Sequence, residues 1–216
     1  MPSDQLLTPL WASRAGALAL LMRPAYIATE FVVAAATTGG YSFVDNTVSE
    51  LGVVGCTMQY CSPEHGLMNA AFVGFGALLV LGSFLLARSL GPPVTGLLVI
   101  SGLSSMATGL APLDEGTALH TLAAAPLFLA QPAALIALAY QSWRARPVPA
   151  RMLLSTGLVT SLAALAFVLN GDHSGAGALE RLALWPVLIA LAGVGCVYLR
   201  DGRCAGVPGS GLSVER

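Results

Sequence analysis

The sequence predicts an all-helical membrane protein, a bundle of six transmembrane helices with the N-terminus and the C-terminus both in the cytoplasm. Of the 216 residues, 56% are hydrophobic and 10% are charged, whereas soluble domains carry about 25% charged residues. The mean hydropathy is +0.76. Six apolar runs of about 20 residues, the length that crosses a bilayer, occupy most of the chain and leave no room for a soluble catalytic domain.

The apolar runs and the breakers between them give the order of the elements. Helices are expected near 20–40, 67–88, 94–112, 118–142, 150–170 and 179–199. Residues 1–19 are interpreted as a cytoplasmic, interfacial lead-in, with a longer, bent first helix as the alternative. The transmembrane domain is therefore 20–199, and 200–216, rich in Gly and Ser, is expected to be a disordered cytoplasmic tail.

The arginines predict the orientation. The chain has ten basic residues, all of them arginine, and nine fall on one predicted face: Arg14, Arg23, Arg88, Arg144, Arg146, Arg151, Arg200, Arg203 and Arg216. By the positive-inside rule this face is cytoplasmic. The opposite, external face carries Arg181 and seven carboxylates: Asp45, Glu50, Glu64, Asp114, Glu115, Asp172 and Glu180. The net charge of −1 and the lack of a basic patch exclude nucleic acid as a partner.

Polar residues concentrate at the external ends of the predicted spans. All three histidines, His65, His120 and His173, lie there. The segment 41–52 is expected to form a short helix capped by Asp45, with Asn46 one turn from Glu50. This segment, the one before the fourth span and the one before the sixth are expected to converge on one pocket.

Three groups in this region are candidates for chemistry. His120 with Asp114 is either a satisfied polar cap or a carboxylate-oriented imidazole that acts as a base or metal ligand. His173 with Asp172 is either an exposed loop pair or part of the same metal site. Ser49 is either an ordinary loop serine or a nucleophile beside a histidine. No cofactor is expected, with a divalent metal such as zinc on His120, His173 and Asp114 as the alternative.

Two charged residues lie close to or inside spans. We expect Arg181 to pair with Asp114, Glu50 or an anionic headgroup. Glu30 lies within the first span, and an intramembrane carboxylate is a functional hypothesis by default. It is either paired internally, for example with Arg23, or a proton or ion site.

The four cysteines fall on two predicted sides of the membrane, two on each. Cys56 and Cys61 share the first external segment, where an oxidising exterior favours a disulfide that closes a small loop. A structural role is expected rather than a redox one, because the spacing is not C-x-x-C. Cys196 and Cys204 are expected to be reduced.

The polar motifs resemble those of a known family. Tyr41 and Ser42 with Asn46, Ser49, Leu51 and Gly52, then Asp114 with His120, then Gly177 with Glu180 and Arg181, are similar to the bacterial six-helix membrane family catalogued as domain of unknown function 998. The resemblance covers roughly 15–200. It implies a six-helix bundle with these polar positions as its functional core, and no established reaction.

Three functions remain open from the sequence. The first is a binding or accessory protein whose external pocket, formed by Asn46, Ser49, Glu50, Asp114, His120, Glu180 and Arg181, holds an amphiphile, a lipid headgroup or a partner subunit, which includes a second copy of the chain. The second is a metal-dependent hydrolase of a lipid ester or amide. Its logic is similar to that of the alkaline-ceramidase and adiponectin-receptor superfamily, but this chain has six spans rather than seven. The third is a small proton- or cation-coupled transporter that uses Glu30.

Overall fold

The computed structural model describes residues 10–171 and 173–204, with side chains described as far as residue 200. Seven helices follow one another: α1 Leu10–Leu21, α2 Ala25–Ala36, α3 His65–Leu85, α4 Ala87–Leu110, α5 Thr117–Ser142, α6 Pro147–Asn170 and α7 Ala176–Cys204. A short 3-10 helix, Ser49–Gly52, lies between α2 and α3. Within this part of the chain the only β pairing is an isolated bridge between Thr38 and Cys61.

Six segments of the described chain are long and apolar enough to cross a membrane. One is the combined stretch Leu10–Ala36, and the other five are α3 to α7. The chain is therefore an all-helical, multi-pass membrane protein, as its hydropathy predicts. The orientation of its termini stays a prediction.

The first span, Leu10–Ala36, is the longer, bent helix that the sequence left as the alternative. α1 begins at Leu10, inside the segment interpreted as a lead-in, and it packs against α3 and α7. Gly16 is buried there, and a Cβ on it would lie 2.8 Å from the Leu86 side chain. Small residues at this contact let the helix backbones approach closely, which explains why α1 is part of the bundle.

The bend corrects the expected position of Arg23. The sequence interpretation placed Arg23 on the cytoplasmic face, but it lies in the turn between α1 and α2, in the middle of the first span. Its side chain is 3% exposed, and Nη1 donates to the Phe75 carbonyl at 2.7 Å, near the middle of α3. Pro24, which cannot donate a backbone hydrogen bond, interrupts the helix here without ending the span.

The third span begins earlier than 94, because α4 starts at Ala87. Gly91 has a positive φ of 74° inside it, followed by Pro92 and Pro93. Glycine adopts this conformation at little cost, and proline is tolerated in the first turn of the helix that follows. The apparent breaker is therefore a kink inside one span.

The spans form a closed ring in chain order. Each of α3, α4, α5 and α6 packs against the helix that follows it, and α1 closes the ring by packing against both α7 and α3. One apolar cluster, which includes Leu20, Leu79 and Leu135, fills one half of the interior. A second, which includes Tyr26, Phe72 and Leu184, fills the half near the α2–α3 connection.

Three connections meet at one end of the bundle, which we call the polar end: 37–64, 111–116 and 171–175, with Asp172 outside the described residues. The longest of them folds into the bundle, because Val48 and Leu51 are fully buried in the second apolar cluster. These two buried side chains hold the segment around Ser49 against the helix ends. The predicted tail begins at 200, but α7 continues to Cys204, and residues 205–216 lie outside the described part.

Candidate functional site

Arg181 organises the polar end from the second turn of α7. Its Nε donates to Glu30 Oε1 at 2.7 Å, and its Nη1 lies within 2.9 Å of the carbonyls of Phe43, Asn46 and Gly177. Nη2 donates to the Tyr41 hydroxyl. All three guanidinium nitrogens are thus engaged, and Arg181 ties the 41–47 segment to α2 and α7.

Two aromatic rings complete the surroundings of this guanidinium. Arg181 Cζ lies 4.8 Å from the centre of the Phe43 ring and 5.6 Å from that of Tyr41, within the range of cation–π attraction. Burial raises the pKa of Tyr41 above its usual value, although the nearby Arg181 opposes the shift. Tyr41 therefore keeps its proton, which it donates to the Thr47 carbonyl at 2.8 Å.

Glu30 is an internally paired carboxylate, but its partner is not Arg23. Oε1 accepts from Arg181, and Oε2 accepts from the indole nitrogen of Trp185 at 2.8 Å. Trp185 lies one turn after Arg181 on α7, on the same face of the helix. The expected pairing of Arg181 with Asp114 or Glu50 is not what the structure has. The role of Glu30 as a proton or ion site stays a prediction, and its contacts do not favour it.

Ser49 and His120 meet at the centre of the polar end. Ser49 Oγ lies 2.9 Å from His120 Nε2, and His120 Nδ1 lies 2.7 Å from the Ala111 carbonyl. His120 is in the first turn of α5 and is 5% exposed. The structure thus pairs two residues that the sequence singled out separately.

Glu180 supports Ser49 from α7. Its Oε2 accepts the backbone N–H of Val48 at 2.5 Å, and its Oε1 lies 3.5 Å from Ser49 Oγ. Glu180 and Arg181 are neighbours on a helix and point about 100° apart. Glu180 therefore binds Val48 and Ser49, whereas Arg181 binds Glu30.

The 42–50 segment has its own hydrogen bonds, but it is not the expected helix. Asn46 Nδ2 donates to Glu50 Oε2 four residues on, although the helix on which these two residues were expected to be neighbours does not form. Asp45 does not cap this turn as a helix start; its Oδ1 accepts from Ser174 Oγ at 2.8 Å and from the Gly175 N–H at 3.0 Å. These bonds, with that from Ser42, lower the pKa of Asp45. Asp45 therefore joins two loops.

Asp114 joins two other segments rather than orienting His120. Its carboxylate accepts the N–H groups of Val54 at 3.1 Å and Gly55 at 2.8 Å. Partial burial favours the protonated acid, but these two hydrogen bonds and smaller contributions together lower the pKa of Asp114. Its expected role as the partner of His120 has no support in these contacts, because the Ala111 carbonyl and Ser49 occupy both imidazole nitrogens.

The predicted metal ligands do not assemble. His173 is exposed and contacts the Asn170 carbonyl of its own turn at 2.6 Å, while Asp172 lies outside the described residues. Within the part of the chain that the structure describes, no three His, Cys, Asp or Glu side chains are grouped to hold a metal ion. A zinc site on His120, His173 and Asp114 therefore stays a prediction that these contacts do not support.

An elongated cleft runs from the polar end along α5 and α6. Its volume is about 590 Å³. Seven polar residues line it at the polar end: Thr47, Ser49, Glu50, Thr117, His120, Thr121 and Glu180. Its remaining walls are mostly apolar and include Ala125, Leu129, Ile136, Ala164 and Val168. We call this feature the α5–α6 cleft.

A second, smaller cavity lies on the inner side of Ser49 and Glu180. Its volume is about 30 Å³, and Arg23, Tyr26 and Gln131 line it. Arg23 Nε, the Tyr26 hydroxyl and Gln131 Oε1 have no hydrogen-bond partner among the described residues. The volume suits about two water molecules, for which these three unpartnered polar atoms offer hydrogen bonds.

Cys56 and Cys61 form the predicted disulfide. The bridge lies in the 37–64 connection, where the Cys61 and Thr38 backbones also pair. Cys196 is a free cysteine, as expected, and the side chain of Cys204 is not among those described.

Sequence reasoning missed two parts of this site. The α5–α6 cleft has no motif, because small and apolar residues look the same whether they line a cavity or pack against a helix. Trp185 was detectable in principle, since it follows Arg181 by one helical turn and tryptophan carries an N–H donor that needs a partner when buried.

Comparison with protein-family models matches residues 12–197 to the family described as Protein of unknown function (DUF998). The match covers most of the chain and contains every residue of the polar end described above. No curated protein matches the chain, and no solved structure does.

Proposed function

The chain belongs to the membrane-protein family catalogued as domain of unknown function 998, and from this premise we propose that it binds an amphiphile in the α5–α6 cleft. The observation that carries the proposal is the graded lining of that cleft, polar at one end and apolar along the rest. Its volume of about 590 Å³ falls within the range of about 300–1,000 Å³ that small-molecule sites have.

The shape of the cleft supports a chain-like apolar tail. Its α5 wall extends from Thr117 to Ile136, about 29 Å of helix at 1.5 Å per residue. A bilayer's hydrocarbon core is about 30 Å thick, so a tail in the cleft would lie at the depth of the lipid chains. An alkyl or acyl chain would enter laterally from the membrane without crossing water.

The charges at the polar end of the cleft favour a ligand whose polar group is neutral or cationic. The polar end of the cleft offers the carboxyl groups of Glu50 and Glu180 and the hydroxyls of Thr47 and Ser49. The cation that was expected to hold an anionic headgroup, Arg181, is instead occupied by Glu30, Tyr41 and three carbonyls. A phosphate at this end of the cleft would meet carboxyl groups and no arginine.

Equilibrium binding of radiolabelled mono-oleoylglycerol to the protein in nanodiscs tests the proposal, with oleoyl lysophosphatidate as the anionic comparison. Ala164→Trp, which fills the cleft, is expected to weaken binding about tenfold or more, equivalent to ~1.4 kcal/mol. Leu162→Trp is the matched control, because Leu162 is 67% exposed on the same helix and does not line the cleft. Equal binding by both variants would overturn the proposal, and equal affinity for lysophosphatidate would overturn its charge preference.

A partner subunit, or a second copy of the chain, is the other class of partner for the polar end. No contact among the described residues favours it over an amphiphile. Binding of mono-oleoylglycerol that Ala164→Trp weakens and Leu162→Trp does not would favour the amphiphile over a protein partner.

A further inference from the structure

The hydrogen bonds of His120 define which of its nitrogens carries the proton. The Ala111 carbonyl, 2.7 Å from Nδ1, can only accept, so Nδ1 is the donor. In the neutral imidazole, Nε2 is then the acceptor, and the Ser49 hydroxyl donates its one proton to this nitrogen at 2.9 Å rather than to the more distant Glu180 Oε1 at 3.5 Å. This is the geometry of a serine beside a general base, with the base held by a third group.

Both residues face the proposed ligand. Ser49 and His120 line the α5–α6 cleft at its polar end, next to the start of the apolar walls. The backbone on the N-terminal side of Ser49 is fixed, because the Val48 N–H is bound by Glu180 and the Val48 side chain is fully buried. An ester whose acyl chain occupies the apolar part would present its carbonyl carbon near Ser49 Oγ.

We propose that Ser49 is a nucleophile that takes the acyl group of a neutral lipid ester, with His120 as its general acid and base. The proposal rests on the amphiphile-binding function argued above, and it names the substrate class of that same cleft. It requires no metal or cofactor, only the ester and water.

The reaction balances in two steps. Ser49 Oγ bonds to the carbonyl carbon while its proton passes to His120 Nε2; the ester C–O bond then breaks, and the leaving alkoxide takes the proton from Nε2. In the second step a water molecule gives a proton to Nε2 and attacks the acyl-serine. The carbonyl–Oγ bond breaks, and Oγ regains the proton. The net change is ester plus water to carboxylic acid plus alcohol.

A cavity that could hold the attacking water adjoins Ser49. Ser49 lines the small inner cavity as well as the cleft, and the walls of that cavity include the unpartnered polar atoms of Arg23, Tyr26 and Gln131. An acyl chain in the cleft would therefore leave a polar approach to the carbonyl carbon from the other side of Ser49.

The cleft contains its own control serine. Ser161 lines the cleft from α6, but its hydroxyl donates to the Gly157 carbonyl in the same helix at 2.8 Å. Among the described residues, no histidine hydrogen-bonds to Ser161 to activate it. If mere proximity to an alkyl reagent were enough, Ser161 would react as Ser49 does.

Labelling with hexadecyl fluorophosphonate, which phosphonylates activated serines with loss of fluoride, tests the proposal. We expect modification of Ser49, identified by peptide mass spectrometry, with none at this position in Ser49→Ala. His120→Gln should slow labelling about 10²-fold or more, the lower range for loss of a general base. His173→Gln should leave the rate unchanged, and no phosphonylation is expected at Ser161 in the wild-type protein. An ethyl reagent of the same chemistry should react more slowly, since it lacks the tail that the cleft holds.

The outcomes separate this inference from the proposed function. Each variant is first checked for monodispersity and for mono-oleoylglycerol binding, so that misfolding is recognised. Binding without labelling of Ser49 in the wild-type protein overturns the nucleophile and leaves amphiphile binding intact. Labelling of Ser49 at the wild-type rate in a folded His120→Gln variant overturns the role of His120. Absence of both binding and labelling overturns both proposals.

Discussion

Arg181 and Glu30 form an ion pair at the polar end of the bundle, with the guanidinium Nε 2.7 Å from the carboxylate Oε1 and side chains that are 5% and 0% exposed. The pair joins α2 to α7, and the remaining guanidinium nitrogens hold the 41–47 segment. Because the same residue carries both connections, Arg181 couples the helix bundle to the loop that contains Ser49.

Loss of this arginine should destabilise the protein strongly. Arg181→Leu leaves the Glu30 carboxylate buried without its charge partner, which costs about 3–5 kcal/mol in comparable buried pairs. Arg181→Lys should recover only part of this, because an ammonium cannot reach the carboxylate, the tyrosine and the carbonyls in one fixed fork. The measurement is the thermal midpoint of the detergent-solubilised protein.

Arg151→Leu is the control for the loss of an arginine, since Arg151 is exposed at the start of α6. A midpoint for Arg181→Leu equal to that of Arg151→Leu would contradict a stabilising role. Glu30→Gln keeps an acceptor for Arg181 and is expected to fall between Arg181→Leu and the wild type.

Gly177 is expected to tolerate no side chain. A Cβ on Gly177 would lie 2.1 Å from the Asn46 carbonyl oxygen and 2.7 Å from Arg181 Nη1. Gly177→Ala should therefore displace the 42–48 segment and weaken the Arg181 contacts, costing about 1–3 kcal/mol as other overpacking substitutions do. Faster proteolysis of the 37–64 connection would report the displacement.

The matched substitution is Gly74→Ala in α3, where an added Cβ meets nothing within 4 Å. Because alanine is the better helix former, this change should leave the protein as stable as the wild type or slightly more so. Equal proteolysis rates for Gly177→Ala and Gly74→Ala would show that the close approach to Asn46 is not needed.

The fold was predictable from the sequence to the level of six spans, because membrane helices must be long and apolar. Their ends were less predictable. The bend at Pro24 and the kink at Gly91 look like boundaries in a sequence, since both interrupt a helical pattern. Packing of α1 against α3 and α7 decides that they are interior features.

The residues of the candidate site could be picked out from the sequence, but only some of the contacts between them could. Ser49, His120, Glu180 and Arg181 stand out as polar residues next to apolar runs. Which of them meet depends on how helices separated by scores of residues are rotated, and local spacing carries no such information. Arg181 was therefore assigned the wrong partners, while Asn46 and Glu50, four residues apart, are neighbours as expected but without the helix that was expected to bring them together.

The disulfide gives a test of orientation. After reduction, Cys56 and Cys61 are expected to react with a membrane-impermeant maleimide added outside intact cells, if the polar end is external as the arginine distribution predicts. Cys196, near the other end of α7, should react only after the membrane is permeabilised. Labelling of Cys56 and Cys61 only after permeabilisation would reverse the predicted topology.

Removing the bridge should have a modest effect on stability. Cys56→Ser with Cys61→Ser opens a loop of five-residue separation, for which loop-closure entropy gives about 2 kcal/mol. The pairing of Thr38 with Cys61 and the bonds of Asp114 to Val54 and Gly55 still hold the connection. Mono-oleoylglycerol binding should therefore survive, whereas its loss would mean that the disulfide shapes the cleft.

Acid should release the loop that Asp45 holds. The hydrogen bonds from Ser174, Gly175 and Ser42 lower the pKa of Asp45 below its ordinary value of 3.8. A carboxylate with a lower pKa in the folded state stabilises the protein above its unfolded-state pKa, and that stabilisation is lost as the pH falls through the folded-state value. The contact between Asp45 and Gly175 is therefore intact at neutral pH and weakens progressively below about pH 4.

Amide hydrogen exchange of Gly175 measures this contact directly. The Gly175 N–H donates to Asp45 Oδ1 at 3.0 Å, so Asp45→Asn should reduce its protection at neutral pH by weakening a charge-assisted bond. At a pH well below the lowered folded-state pKa of Asp45, the wild type and the variant should converge, because protonation removes the same charge. Equal protection of Gly175 in the two proteins at neutral pH would mean that Asp45 does not hold the loop before α7, and that Gly177 and Arg181 position it alone.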